Sequence, residues 1–291
     1  DMKPTMKRVA AIHDLSGFGR ASLCSIIPTL SSMGIQVCPV PTAILSTHSG
    51  GFREYTFEDL TDTIPAYMAH WKKLNLHFDC IYSGFLGSPV QTQMVADIFD
   101  DFADENTLVV VDPVMGDNGG LYSSIPESMV PQMRKLVNKA DIIVPNYTEA
   151  ALLLDEDVKG YRSNEELKEW LRRLSDLGPD TVLITSAPDE ERPEMMNVIA
   201  YEKESDTYWK VASRLLHDYY PGTGDIFASV MIGSLLKGES LPGAIDWAAQ
   251  FVSQCIKVSS GYDYERRDGV QLERVLPLLH QDHLINGYER F

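Results

Sequence analysis

Short apolar or β-branched runs alternate with longer amphipathic ones along the 291 residues of the chain. Period-two and continuous apolar stretches predict strands over 8–14 (RVAAIHD), 35–45, 78–84, 107–114, 140–146 and 180–186. Between them, helical periodicity predicts helices over 21–33, 57–74, 89–103, 126–138, 148–154 and 164–177. SNEE at 163–166 reads as a capping box, with Ser163 capping and Glu166 reaching back, and Gly178-Pro179 stops that helix. Strand, helix, strand in this order implies right-handed crossovers and an α/β fold with a mostly parallel sheet, helices covering both faces. Around 196–211 the alternation predicts an antiparallel hairpin added at an edge. Helices over 224–237, 240–259 and 269–280 follow, and 281–291 lacks periodicity and reads as frayed. With no internal repeat and no linker-like tract, the expectation is one domain, 1–291, with its core at 8–280.

A hydrophobic content of 44% can fill a core, and 23% charged residues argue against disorder. The formal net charge of −17 changes the picture more. That field repels nucleic acid and anionic membranes, so neither is expected as a partner. It also repels a polyphosphate, so a nucleotide site must bring its own positive potential. Cys24, Cys38, Cys80 and Cys255 are scattered without a C-x-x-C pair, which fits reduced buried thiols rather than a disulfide or zinc framework. The first apolar run is too short for a signal peptide, and no segment approaches the ~20 apolar residues of a membrane span. A cytoplasmic protein is expected.

Ligands of open α/β sheets lie beyond the carboxyl ends of the strands. Those ends hold Asp14 before LSGFG, STHSGG at 46–51, Gly84-Phe85, DPVMGD at 112–117, NYTE at 146–149 and Thr185-Ser186. GFGRAS at 17–22 nearly matches a dinucleotide fingerprint, but its third small position is Ser22 and no acid lies between 23 and 53 to hold a ribose. A tight substrate-facing turn suits it better. G-x-x-x-x-G-K-S/T, H-E-x-x-H and G-x-S-x-G are all missing.

PGTGDIFASV at 221–230 places Gly222 and Gly224 before a run that is apolar nearly all round. Glycine lets backbone approach a ligand, and the first-turn amides of a helix, with its dipole, attract an anion. That is the local positive potential the acidic chain otherwise lacks. Asp225 in the same turn is placed to take a proton from a nucleophile, or simply to cap the helix. The residues by themselves leave both open.

GTGD before an apolar helix, with NYTE after an upstream strand, resembles the ribokinase superfamily of small-molecule kinases. VVVDPVMGDNGGLY (109–122), ADIIVPNYTEAALL (140–153) and STHSGGF (46–52) are similar to the corresponding segments of pyridoxal kinases within it. The resemblance runs in one order over most of 8–279. It implies a ribokinase-like three-layer α/β/α fold and ATP-dependent phosphorylation of the 5′-hydroxymethyl of pyridoxal, pyridoxine or pyridoxamine. It further implies Asp225 as catalytic base, with Gly222, Thr223 and Gly224 around the transferred phosphoryl. On the nucleotide side it implies Asp112, Asp117, Tyr122, Asn146, Glu149, Thr185 and Ser186. On the substrate side it implies Asp14, Ser16, His48, Ser49 and Phe85. Mg²⁺ accompanying ATP falls to Glu149 and Asp112; a monovalent cation such as K⁺ and a homodimer also belong to the resemblance.

Phosphoryl transfer is catalysed mainly by alignment and charge stabilisation, so acids beside ATP make sense only with a hard cation. The sequence departs from the pattern in three places. Ser49 replaces the threonine of the His-Thr pair, the HDLSGFG loop is short, and GDNGGLYSS carries no lysine or arginine. His13, His70 and His77 lie in no motif. Hydroxymethylpyrimidine (phosphate) kinase is the alternative within the fold. A sugar kinase would need an N-terminal Gly-Gly element that is missing. A non-catalytic nucleotide or vitamer binder would gain nothing from Asp225.

Overall fold

The computed structural model describes residues 6–158, 162–214, 219–280 and 287–291. The chain forms two compact units, each assembled from separated segments. The first comprises Asp1–Tyr82, Asp104–Thr107 and Leu216–Asn286; the second comprises Ser83–Ala103, Leu108–Leu215 and Gly287–Phe291.

The first unit contains β1 (Arg8–Phe18), α1 (Leu23–Ser32), β2 (Gln36–Thr47), β3 (Phe57–Asp59), α2 (Ile64–Lys73) and β4 (Cys80–Ser83, at its boundary). Its strands run in the order β4-β1-β2-β3, with β1 and β2 parallel and β3 antiparallel to β2. Val9, Ala11 and Ile12 of β1 are fully buried, as expected of a strand covered on both faces. Pro39 and Pro41 are tolerated in β2 because β3 pairs only with Ala43–Leu45, leaving the first half of β2 without a partner on that side.

The second unit contains α3 (Pro89–Phe102), β5 (Leu108–Val111), β6 (Gly116–Asp117), β7 (Gly120–Leu121), α4 (Met129–Val137) and β8 (Ile142–Ile143). It continues with α5 (Tyr147–Leu154), α6 (Asn164–Asp176), β9 (Thr181–Pro188), β10 (Met195–Glu202) and β11 (Thr207–Arg214). Back in the first unit follow α7 (Thr223–Leu236), α8 (Leu241–Ser259) and α9 (Leu272–Val275), and the last strand, β12 (Tyr288–Arg290), belongs to the second. The second unit's order is β12-β11-β10-β9-β8-β5, parallel from β5 to β9 and antiparallel beyond. The fold is thus α/β with a mostly parallel sheet and antiparallel edges, as the alternation of elements predicts.

Three expectations need correction, and one hairpin is added to them. The segment 57–74 is not one helix: Asp59 accepts the Thr61 amide at 2.7 Å, closing a turn after β3, and α2 begins only at Ile64 with Pro65 in its first turn. GDNGGL folds into the β6–β7 hairpin, with Asn118 and Gly119 both at positive φ, the pair that such two-residue turns favour. The helix expected over 269–280 is a single turn, α9, followed by a 3₁₀ segment at Leu276–His280 where Pro277 removes a donor. Residues 288–290 are not frayed but pair with Trp209–Val211; 281–286 lie outside the described residues. Tyr288 meets Trp209 edge-on at 5.6 Å, and the Lys168 and Lys210 ammonium groups stand over Phe291 at 5.2 and 5.5 Å. Such tertiary contacts hold a strand too short to show a pattern.

Among the described residues no helix is long and apolar enough to cross a membrane. All four cysteines are free; Cys80 and Cys255 are buried, Cys24 and Cys38 only partly so.

Candidate active site

α7 is buried from Ile226 to Ser234, so its apolar surround is core. α3, α5, α6 and α8 each spend a side-chain oxygen on a first-turn amide; α7, like α1, α2, α4 and α9, has no side-chain cap, and among the described helices it alone starts from a glycine, Gly222 at φ 83°. First-turn amides left this way are donors for an anion. Gly222 is required sterically as well: a Cβ there would lie 2.1 Å from the Arg20 carbonyl oxygen.

The Asp225 carboxylate does not cap its own helix. Its Oδ2 accepts the backbone N–H of Ser22 at 2.9 Å. The residue keeps some surface, but its carboxylate is sunk among neighbours, and this burial pushes its pKa up to about 7. The Ser22 amide opposes the shift and the charge of Asp14 adds to it. Asp14, buried within β1 where its register shifts, accepts the Ser22 hydroxyl at 2.7 Å; burial raises its pKa too, against the pull of that hydroxyl. Ser16 is fully buried, and its hydroxyl helps to stabilise the Asp14 carboxylate against burial.

His48 is also buried. Its Nδ1 accepts the Gly50 amide at 3.0 Å, so the proton sits on Nε2 and is donated to the Arg267 carbonyl at 2.7 Å. The ring packs edge-on against Phe52 at 5.0 Å, and Arg267 covers the other ring at 4.7 Å. His48 therefore ties the 48–52 loop to the turn at 266–268. Ser49 beside it is exposed. Thr223 donates its hydroxyl to the Tyr220 carbonyl at 3.5 Å, and Gly224 is exposed with open space at its Cβ position.

The second unit shows a separate cluster around the start of α5. Asn146 and Glu149 form a reciprocal capping box: Asn146 Oδ1 accepts the Glu149 amide at 2.8 Å, and Glu149 Oε1 accepts the Asn146 amide at 2.9 Å. Glu149 Oε2 takes the Met115 amide at 2.8 Å, the Asn146 side-chain amide donates to the Gly116 carbonyl at 2.9 Å, and Thr148 accepts the Gly119 amide at 3.0 Å. NYTE thus grips the DPVMGDNGG loop along its length. Burial raises the Glu149 pKa to about 7, opposed by the backbone amides and reinforced by Asp117. Asp112 is buried just past β5 and its amide bonds the Ser83 carbonyl at 2.9 Å. Asp117 is half-buried, accepting the Asn118 amide at 2.7 Å, and Tyr122 is largely exposed. Thr185 and Ser186 are half-buried, with the Ser186 hydroxyl accepting the Tyr147 amide at 3.3 Å. Phe85, half-buried between β4 and α3, also lies in this unit, so the substrate-side residues are divided between units.

Asp112, Asp117 and Glu149 offer oxygen donors only, the chemistry a hard cation prefers. Both Glu149 oxygens already accept backbone amides, from Asn146 and Met115, and the Gly116 amide also favours the carboxylate. Among the described residues no three His, Cys, Asp or Glu side chains converge into a metal cage. One or two such carboxylates are what Mg²⁺ takes from a protein when substrate phosphates and waters supply the rest.

Residues 26–270 match the family Phosphomethylpyrimidine kinase. The chain belongs to that family. A crystal structure named for a phosphomethylpyrimidine kinase of Bacteroides thetaiotaomicron, in a form with pyridoxal, has TM-score 0.95 and 50% identity, covering 99% of this chain and 100% of that one. Pyridoxal kinase from Lactobacillus plantarum has TM-score 0.86 and 30% identity, covering 96% of this chain and 100% of that one. A pyridoxal kinase of Burkholderia lata is 28% identical over 90% of this chain and 91% of its own length. These structures share the ribokinase-like fold expected from the motifs.

For this phosphomethylpyrimidine kinase family member, reading the motifs overlooked Ser22, which meets both Asp14 and Asp225, and the carbonyl of Arg267, which takes the His48 proton. Ser22 did leave a signal, as the odd third position of GFGRAS. Arg267 left none, because a backbone carbonyl is not written in a sequence. His13 proved a core histidine: fully buried, edge-on to Tyr82 at 4.4 Å, its pKa lowered by burial to about 3.

Proposed function

We propose that this protein is an ATP-dependent kinase that phosphorylates the 5′-hydroxymethyl group of pyridoxal, and of pyridoxine or pyridoxamine, to give the 5′-phosphate. The observation that carries the kinase reading is Asp225, held by Ser22 at the side-chain-free start of α7. The vitamer reading is supported by the relatives, pyridoxal kinases among them and one structure of 50% identity containing pyridoxal.

Asp225 accepts the proton of the acceptor hydroxyl as its oxygen attacks the γ-phosphorus of ATP and the bond to the β-phosphate bridge breaks, releasing ADP. A base with pKa about 7 is matched to that task at neutral pH. Gly222, Thr223 and Gly224 present the α7 amides to the transferred phosphoryl, supplying positive potential in a chain of net charge −17. Asp14 and Ser16 face polar atoms of the ring. His48 orders the acceptor loop that carries Ser49, and Phe85 stacks on the heteroaromatic ring. Asp112, Asp117, Tyr122, Asn146, Glu149, Thr185 and Ser186 form the nucleotide side. Glu149 and Asp112 would hold the Mg²⁺ of Mg-ATP, which would offset phosphate charge; K⁺ is the expected monovalent cation.

A single kinase domain over 1–291 is part of this reading; Asp225 lies in the first unit and the nucleotide-side residues in the second. A cytoplasmic homodimer is the expected form, checked by sedimentation. The second reading, phosphorylation of hydroxymethylpyrimidine or its phosphate, is favoured by the family match itself. Purified protein with Mg-ATP and, in turn, pyridoxal, pyridoxamine and hydroxymethylpyrimidine decides between them. Turnover of the pyrimidine alone would refute the vitamin B6 reading, and binding without turnover would favour a non-catalytic binder.

A further inference from the structure

Two carboxylates from different elements of the first unit meet at one serine. Ser22 donates its hydroxyl to Asp14 Oδ1 at 2.7 Å and its backbone N–H to Asp225 Oδ2 at 2.9 Å. Its backbone stands at φ 51° and ψ −134°, angles that turns normally reserve for glycine. A residue with a side chain stays there only when its surroundings hold it. Here the restraints are visible on both sides. The hydroxyl is bound to Asp14, while two residues earlier the Arg20 amide bonds the Asp268 carbonyl at 3.1 Å and its guanidinium meets Glu273 at 2.8 Å.

We propose that Ser22 is the positioning residue of the transfer site: its hydroxyl, fastened to Asp14, holds a strained turn whose amide fixes the orientation of the Asp225 carboxylate. A carboxylate rotates softly about its last torsion. Pinning one oxygen leaves the other to receive the acceptor proton in a defined direction, and alignment of this kind is a large part of phosphoryl-transfer catalysis. The amide also favours the ionised form of Asp225, against burial and against Asp14. The ionisable groups facing this pair are Asp14 itself on β1, Cys24 on α1 and His48 after β2. This inference rests on Asp225 being the base.

The test compares Ser22→Gly and Ser22→Ala for kcat, for KM of Mg-ATP and of the acceptor, and for the acid limb of the kcat–pH profile. Ser22→Gly relieves the backbone strain and keeps the amide, so it folds even if Ser22→Ala does not. The glycine variant is expected to lose about tenfold or more in kcat, as for a lost bond to a charged group, with KM of Mg-ATP unchanged. Its acid limb moves to higher pH, because a less well aligned amide no longer favours the ionised base. Wild-type kcat and an unmoved limb in Ser22→Gly overturn the proposal. So does a limb moved to lower pH, since the hydroxyl would then act only by setting the charge of Asp14. Asp225→Asn separates this from the underlying reading: an active Asn variant removes the base itself, whereas an inactive one beside an unaffected Ser22→Gly removes only the role of Ser22.

Discussion

Replacing Gly222 by alanine would set a methyl 2.1 Å from the Arg20 carbonyl oxygen and 3.1 Å from Ala21 Cα, both backbone atoms that cannot swing aside. The residue would also keep φ 83°, a left-handed conformation that costs a side chain about 1–2 kcal/mol. Relieving the overlap requires the 20–22 turn and the start of α7 to part by roughly 1 Å to regain ordinary contact. The Ser22–Asp225 hydrogen bond of 2.9 Å spans that same seam. A misplacement of about 1 Å at a reacting group lowers turnover about a hundredfold, and that loss in kcat is expected for Gly222→Ala with Mg-ATP and pyridoxal. Urea unfolding should show a chain that is less stable by about 1–3 kcal/mol yet still cooperative. Gly224→Ala is the counterpart. Nothing lies within 4 Å of its Cβ position, and alanine in a helix is preferred by about 0.5–1 kcal/mol, so this variant folds at least as well. Its methyl nonetheless stands beside the amides proposed to bind the phosphoryl, and turnover falls. Wild-type kcat in Gly222→Ala would refute the steric reasoning, and wild-type kcat in Gly224→Ala would refute the anion cradle whatever the first variant does.

Asp225 binds its proton more tightly folded than unfolded, its pKa being raised from 3.8 to about 7, so it lowers stability as pH rises through that window. Asp225→Asn should therefore gain nothing near pH 4, gain progressively to pH 7 and level off at about a few kcal/mol; a gain independent of pH in urea unfolding contradicts the burial argument. Gly19→Ala would place a methyl 2.4 Å from His48 Cδ2 at φ 99°, displacing the ring from the Arg267 carbonyl. A rise of about tenfold in acceptor KM, with KM of ATP unchanged, is expected in steady-state kinetics if His48 orders the acceptor loop. Glu149→Gln turns one amide NH₂ against a backbone N–H that now meets an oxygen, costing about 1–3 kcal/mol in unfolding and weakening Mg-ATP binding measured by calorimetry.

The edge hairpin and the SNEE cap follow from local chemistry, and the structure contains both: β10 and β11 pair in register, and Ser163 and Glu166 bond reciprocally. The turn at Asn118-Gly119 was equally legible, an Asn-Gly pair between two short extended segments, yet four paired residues show no alternation to announce strands. β12 was hidden for the opposite reason, its three residues being held by Trp209, Lys168 and Lys210 from far along the chain. At the site, the glycine-led start of α7 could be read from PGTGD followed by an apolar run. Whether Asp225 caps that helix could not, because a first-turn aspartate looks the same in either role.

Periodicity and turn chemistry are properties of neighbouring residues, and they determined the order of strands and helices, the glycine-led entry to α7 and the reciprocal cap of NYTE. Where each carboxylate points depends on atoms distant in the chain. Only the tertiary structure joined Asp225 to Ser22, 203 positions away, and His48 to the Arg267 carbonyl, 219 positions away. Those bonds run to backbone groups that every residue carries alike, so no side-chain pattern could encode them; the packing of one element on another selects which amide or carbonyl is in reach.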